Sequence, residues 1–258
     1  MIQILSRIRA VQSINGNIWT ISLVSPEIAS IVRPGQFINV KVSESYIPLL
    51  RRPFSIQQVS TDEITIIFSV YGLGTALLSK KRPDEVLDII GPLGNSFNTD
   101  DKFDTALLVG GGIGVAPFPF LTSILKKSSK NIITYIGARS STHIITQQLE
   151  NVKVATDDGS MGYHGTVVDL LKTDLSISQY RNPKIFACGP TPMLRSISKL
   201  IQEIQVPCEA SFESAMACGF GICQGCPVEL VNDEKKYALV CKDGPVFDIR
   251  SIRIPDGG

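Results

Sequence analysis

Four thiols carry the most specific chemistry in this chain: Cys218, Cys223, Cys226 and Cys241, with gaps of four, two and fourteen residues between them. Four thiolates can hold two irons bridged by sulfide, and a C-x4-C-x2-C run with a distant fourth cysteine is the spacing of plant-type [2Fe–2S] ligation. Gly219, Gly221 and Gly225 lie among the ligands. A loop that wraps a cluster needs unusual backbone dihedrals and close approach of N–H groups to sulfur, which glycine permits. The competing reading is a four-cysteine zinc site. Such sites carry two short Cys-x2-Cys pairs, and the second pair is missing here, so the spacing favours iron–sulfur. Cys208 falls outside the pattern and reads as a small buried residue.

Two glycine-bearing turns offer a second kind of chemistry. Gly110-Gly111-Gly112-Ile113-Gly114 follows an apolar run, Thr105–Val109, and precedes a helical pattern from Pro117 to about Lys127. A glycine turn at a helix N-terminus suits a pyrophosphate, because the backbone can come close and free N–H groups face the ligand. The match to the dinucleotide fingerprint is partial: Val115 stands where a third glycine belongs. No acid ends the second strand, where Gly137-Ala138-Arg139 stands instead. Taken alone, a simple tight turn is an equally good reading. A second strand-to-helix turn, Cys188-Gly189-Pro190, supports the ligand reading, since open α/β sheets place their crevice at the carboxyl ends of strands. His143 and His164 read as ordinary surface or loop residues, so no histidine-centred mechanism is expected.

Three successive units position these residues. Residues 1–99 hold short β-branched runs such as Asn17–Val24, Gln36–Val42 and Glu63–Val70, punctuated by Pro26, Pro34-Gly35 and Gly91-Pro92; this pattern predicts a small antiparallel barrel or sandwich. Residues 100–205 alternate strands (Thr105–Val109, Asn131–Ile136, Val152–Ala155, Lys184–Cys188) with helices, the last from Thr191 to about Gln205, which predicts a parallel α/β layer. Residues 206–258 are rich in glycine and cysteine and end in a hairpin from Val228–Val231 through Asn232-Asp233 to Tyr237–Val240. That unit is too small to build much core alone, and a metal centre would supply the missing stability. The net charge of +1 over 258 residues gives no electrostatic case for nucleic acid. No stretch reaches the ~18 apolar residues of a membrane span and no secretory signal begins the chain, so the expected compartment is cytoplasmic, with reduced thiols.

The order of four motifs adds a family resemblance. Arg52-Pro53-Phe54-Ser55, then Gly72-Leu73-Gly74-Thr75, then Gly110–Pro117, then Cys188–Met193, resembles the ferredoxin reductase family across residues 1–205. This implies a six-stranded antiparallel flavin-binding β-barrel followed by a Rossmann-like parallel α/β nicotinamide domain; with the small C-terminal iron–sulfur domain read from the cysteine spacing, the expected fold is multidomain α/β plus β. The resemblance implies FAD as a cofactor, with Arg52 at its diphosphate, Pro53, Phe54 and Ser55 beside the flavin, Ile67, Phe68 and Ser69 lining it, and Gly74 and Thr75 at its phosphates. NAD would meet Gly111, Gly112, Ile113, Gly114, Cys188, Gly189 and Pro190. For Cys188, a place near the nicotinamide and a role as a small packed residue both stand.

The closer resemblance is at the C-terminus. Met216-Ala217-Cys218-Gly219 through Cys226, Val240–Phe247 and Thr156–Gly165 are similar to the electron-transfer subunits of NAD-dependent (type B) dihydroorotate dehydrogenases. Related subunits of sulfide dehydrogenases and transhydrogenating ferredoxin reductases tend to carry Asp where this chain has Cys218, which favours the dihydroorotate system. The resemblance implies an FMN-containing catalytic subunit as partner, two copies of each subunit, and electron passage through the [2Fe–2S] cluster and FAD to NAD⁺ in de novo pyrimidine synthesis. The alternative is an NAD(P)H-dependent reductase feeding a ferredoxin, polysulfide or oxygenase partner. A zinc-stabilised binding module without flavin is the non-enzyme reading.

Overall fold

The computed structural model describes residues 1–231 and 235–255. Its first part is a closed antiparallel barrel of six strands: β1 (Ile2–Asn15), β2 (Ile18–Val24), β3 (Phe37–Val40), β4 (Arg52–Val59), β5 (Glu63–Ser69) and β6 (Val86–Leu93), paired in the order β1-β2-β5-β4-β3-β6. Alternation builds it. Ile21, Leu23, Ile56, Ile64, Ile66 and Ile89 point inward and are fully buried, while their strand neighbours face outward. Closure removes the unpaired strand edges that an open sheet of this size would expose. Two short helices, α1 (Pro26–Ala29) and α2 (Leu73–Leu78), lie in its connections.

The second part is a seven-stranded sheet of β7 (Thr105–Gly111), β8 (Asn131–Ala138), β9 (Val152–Thr156), β10 (Tyr163–His164), β11 (Pro183–Cys188), β12 (Cys208–Ser211) and β15 (Val246–Asp248). The order is β10-β9-β8-β7-β11-β12-β15, parallel throughout except for β15. Both faces are covered, as near-continuous apolar strands require. Ala106 and Leu108 of β7 and Phe186 of β11 pack under α3 (Phe118–Lys127). The alternate residues Leu107, Val109 and Ala187 pack under α4 (Val167–Ile177) and α5 (Thr191–Ile204). Helix α4 has no counterpart in the sequence reading, although Thr166 is a regular N-cap whose hydroxyl accepts from the Asp169 N–H at 3.1 Å.

The C-terminal residues do not stand apart. Strand β12 runs along β11, and β15 returns antiparallel to β12, so the cysteine loop is strung between two strands of the large sheet. A two-stranded ribbon, β13 (Pro227–Glu229) with β14 (Tyr237–Leu239), interrupts the loop. Asn232 and Asp233, expected in its turn, lie outside the described residues.

Candidate functional site: two adjoining cavities and a cysteine loop

The first cavity, about 350 Å³, opens between barrel and sheet. Strand β4 contributes Arg52, Pro53, Phe54 and Ser55, β5 contributes Ile67, Phe68 and Ser69, and Thr75 comes from α2. The facing wall holds Ile113, Gly114 and Cys188 from the ends of β7 and β11. Gly74 is not part of the lining, but a Cβ there would stand 3.2 Å from Arg52 Nε, so its bare backbone leaves room for the guanidinium. Arg52 is held over the turn by donating to Leu50 O at 2.7 Å. The hydroxyl of Thr75 accepts from the Tyr71 and Gly72 N–H groups at 3.2 and 3.3 Å, which stiffens the turn. A cradle with a cation on one side and an apolar slot on the other fits a flavin dinucleotide.

Cys188 is buried in this wall. Burial, then the nearby charge of Glu213, pushes its thiol up to about 12, with Ser211 acting in the opposite sense. It stays protonated at neutral pH, and a thiol without thiolate character is a poor nucleophile. Phe212, Glu213 and Met216 also line the cavity. Dehydration among these neighbours raises the carboxyl of Glu213, although part of its surface is open to the cavity. Tyr71 and Glu213 line the site and were missed by motif reading. The available signal for Glu213 was its place two residues after a strand end in a parallel sheet.

The second cavity, about 490 Å³, runs along the carboxyl edge of the sheet. It is lined by Gly111 at the end of β7 and Gly112 after it, by Gly137 and Ala138 of β8 and Arg139 after it, by Asp157 after β9, by Thr166 and Val167 at the start of α4, and by Pro190 after β11. Gly112 has φ +55° with nothing within 4 Å of where a Cβ would be, an open backbone that a ligand can approach. Gly189 lines neither cavity. It packs the two turns together, its Cα 2.6 Å from a Cβ placed on Gly114. His143, exposed, reaches this second cavity rather than open surface alone.

The four expected ligands come together in one loop. Cys226 Sγ and Cys241 Sγ are 3.2 Å apart and buried. Cys218 and Cys223 form the outer pair, with the Cys223 N–H donating to Cys218 Sγ at 3.5 Å. Gly221 N–H donates to Cys241 Sγ at 3.1 Å and Cys241 N–H to Cys226 Sγ at 3.4 Å. Amides aimed at sulfur are what a negatively charged thiolate cluster needs. Burial opposes ionisation of Cys218, but the N–H groups of Cys223, Phe220 and Ile222 outweigh it and bring the thiol down to about 6. Two pairs of thiols fit a two-iron centre, in which each iron takes two protein ligands.

Gly219 and Gly221 have φ of +81° and +89°. Gly225 does not share this need: its φ is ordinary, and Gln224 beside it takes the left-handed conformation at φ +57°. The loop is tied to the barrel by Asn39, whose Nδ2 donates to Cys218 O at 3.0 Å.

Comparison with known proteins agrees with this geometry. The family model for the iron–sulfur cluster binding domain of dihydroorotate dehydrogenase B matches residues 213–253. The electron transfer subunit of dihydroorotate dehydrogenase B (NAD(+)) from Desulforamulus reducens is 35% identical over 250 residues, covering 94% of this chain and 95% of that protein. The chain belongs to this family of electron transfer subunits. The Bacillus pumilus member is 37% identical over 252 residues, covering 94% of this chain and 95% of that protein. Among solved structures, one of an NADH-dependent reduced ferredoxin–NADP oxidoreductase superposes with a TM-score of 0.84 at 27% identity, covering 97% of this chain and 90% of that one. A ferredoxin NADP⁺ reductase from Neisseria gonorrhoeae, with TM-score 0.68 at 14% identity over 81% of this chain and 99% of that one, shares the fold. Family membership makes this chain an oxidoreductase subunit that works with a catalytic partner. No helix among the described residues is long and apolar enough to cross a membrane.

Proposed function

We propose that this chain carries electrons from the FMN-containing subunit that oxidises dihydroorotate to NAD⁺, through a [2Fe–2S] cluster at Cys218, Cys223, Cys226 and Cys241 and an FAD in the first cavity. One observation carries the reading: Met216 lines that cavity, and the first cluster cysteine follows two residues later. Two residues of extended chain span at most about 7 Å, so the cavity adjoins the cysteine loop on one side and the nicotinamide-type turns on the other. Bound there, FAD would exchange single electrons with the cluster and a hydride with nicotinamide, because flavin works in both one- and two-electron steps.

The chain's own residues do the positioning. Arg52 offers a cation to the FAD diphosphate, Thr75 and Gly74 shape the phosphate turn, and Ser55, Phe54, Ile67, Phe68 and Ser69 hold the ring. Ile113, Gly114 and Cys188 form the opposite wall, which sets how closely a nicotinamide can approach. Gly111, Gly112 and Pro190 belong to the second cavity and would meet the rest of the dinucleotide. The three functional units are read as residues 1–99 for FAD, 100–205 for NAD and 206–258 for the cluster. Two copies of each subunit and a cytoplasmic compartment complete the reading.

The deciding experiment is co-purification with the catalytic subunit, assayed for dihydroorotate-dependent NADH formation. Activity that disappears when the catalytic subunit is removed supports the reading. The second reading, a free-standing reductase, is favoured by the 0.84 superposition on the ferredoxin–NADP oxidoreductase. It predicts full NAD(P)H turnover with external acceptors and no dihydroorotate activity in the presence of the catalytic subunit.

A further inference from the structure

The second cavity contains an unusual pair of charges. Ala138 and Thr156 are register partners on the parallel strands β8 and β9, so the next residues, Arg139 and Asp157, leave the sheet side by side. Backbone bonds keep the two chains together beyond the sheet: Asp157 N–H donates to Ala138 O at 3.0 Å and Asp158 N–H to Arg139 O at 3.1 Å. Both side chains line the cavity. Strands lie about 4.8 Å apart, yet among the described residues neither the Arg139 nor the Asp157 side chain has an ion-pair or hydrogen-bond partner. The adjacent Asp158 differs: its Oδ1 accepts from the Ser160 N–H at 2.9 Å and closes the turn. Of the two consecutive acids, one is used by the fold and the other is left facing the cavity.

The position of Asp157 along the sheet edge specifies what it would meet. The cavity runs from the turn after β11, past the glycine turn after β7, to the residues after β9; Asp157 lies two strands from the glycine turn, about 10 Å away. A dinucleotide whose pyrophosphate sits over the glycine turn, with its nicotinamide toward Ile113 and Cys188, places its adenosine ribose over β8 and β9. A carboxylate there accepts from ribose hydroxyls and repels a 2′-phosphate, while an arginine there does the reverse.

We propose that Asp157 is the residue that selects NAD(H) over NADP(H), by accepting from the adenosine ribose and by opposing the charge that Arg139 would offer a 2′-phosphate. This rests on the second cavity being the nucleotide site. No acid ends the second strand, where Arg139 stands. The acid is supplied by the third strand, beside it in space.

The test separates the two layers of the argument by using ligands that cannot react. ADP-ribose and its 2′-phosphate are titrated into FAD- and cluster-loaded protein by calorimetry, with wild type, Asp157→Asn and Asp158→Asn compared. Wild type is expected to bind ADP-ribose more tightly than the 2′-phosphate. Asp157→Asn is expected to reduce that preference about tenfold or more through tighter binding of the phosphate, the size expected from removing one close like charge. Asp158→Asn should leave the preference unchanged. An unaltered preference in Asp157→Asn, with ADP-ribose still bound, overturns the role of Asp157 and leaves the cavity assignment standing. Failure of wild type to bind either ligand, with flavin and cluster in place, overturns the cavity assignment itself. NADPH-to-flavin reduction that gains in kcat/KM through a lower KM in Asp157→Asn is the expected companion result; a change in kcat alone would count against a selecting role.

Discussion

The flavin-side cavity and the cysteine loop meet at Met216, yet they are built on different principles. The cavity is a gap between two large cores: the barrel's buried isoleucines on one side and the sheet packed under α3 on the other. Its walls exist because those cores exist. Among the described residues the cysteine loop has a core of five buried residues, Phe37, Leu93, Cys226, Val240 and Cys241, two of which are the proposed inner ligands. Its outer half is exposed at Ile222 and Cys223. The first site is shaped before anything binds, whereas the second depends on what binds for much of its stability. The same contrast suits their tasks. A flavin needs a fixed slot between two domains, and a cluster receiving electrons from another subunit needs an accessible edge.

The largest expected effects test the inner against the outer cysteines. Cys226→Ser or Cys241→Ser should weaken iron retention about a hundredfold or more, exceeding the loss typical of outer-shell changes. It should also open residues 213–253 to hydrogen exchange, because the same thiols fill the loop's core. Cys223→Ser should release iron comparably while Val240, Phe37 and Leu93 keep the inner half protected. Visible absorption and exchange mass spectrometry read the two effects separately. Equal exchange in all three variants would show that packing contributes nothing to the loop and that the cluster alone orders it.

On the cavity side the expected effect is smaller and confined to binding. Arg52→Ala removes the cation proposed to meet the FAD diphosphate, which should weaken FAD about 10–100-fold without opening the barrel, since Arg52 is only partly buried. Flavin fluorescence titration of the apoprotein checks the affinity and circular dichroism checks the fold. Barrel unfolding on FAD removal would contradict a preformed slot.

Two glycines sharpen the comparison within the loop. Gly219 has a left-handed φ, and an added Cβ would fall 1.9 Å from Asn39 Nδ2, the atom that ties the loop to the barrel. Gly219→Ala should therefore cost about 1–3 kcal/mol of loop stability and lower cluster occupancy after purification. Gly225→Ala meets only Cys223 Sγ at 3.3 Å with an ordinary backbone, so its iron content should stay near wild type. Iron content per protein is the measurement; equal losses would mean that flexibility and not close approach is what the loop needs.

How far these regions were legible follows from the same contrast. Alternating strands and apolar runs announce themselves because burial on one face or two leaves a period in the sequence. Thus Ile18–Val24, Glu63–Ser69 and Thr105–Gly111 lie close to where the periodicity puts them. The cysteine spacing was legible because thiol ligation leaves few alternatives. Helix α4 was not foreseen, since Val167-Val168 followed by Lys172-Thr173-Asp174 mixes strand-type and helix-type signals that only packing on β8 and β9 resolves. Glu213 and Asp157 were not read as site residues, because a place after a strand end or within the Thr156–Gly165 motif does not by itself say which cavity a residue meets. Each is brought to its cavity by the end of a strand whose neighbours are dictated by sheet order, which is a long-range property.

The smallest expected effect probes the packed sheet, where no cofactor contributes. Asp174, buried on α4, accepts from Lys153 Nζ at 2.7 Å, from Tyr180 OH at 2.5 Å and from the hydroxyl of fully buried Tyr135. Burial favours its neutral form, but Lys153 and the two hydroxyls outweigh this and hold the carboxyl down to about 2. An unfolded aspartate titrates near 3.9, so this depressed group stabilises the fold fully above about pH 4 and loses that contribution as pH falls toward 2. The Lys153 side chain is 39% exposed, and solvent screening limits the effect at pH 7 to about 1–2 kcal/mol, below what the shift alone would imply. Asp174→Asn should show a deficit of that size at pH 7 that shrinks as pH is lowered from 4 toward 2. Native-state hydrogen exchange at β8, in wild type and variant across that range, checks it. The difference between the two proteins cancels the acid sensitivity of the thiolate loop, which both share. A deficit that persists at low pH would mean that Asp174 acts by packing instead of charge, and that the sheet resembles the barrel in owing its stability to apolar burial alone.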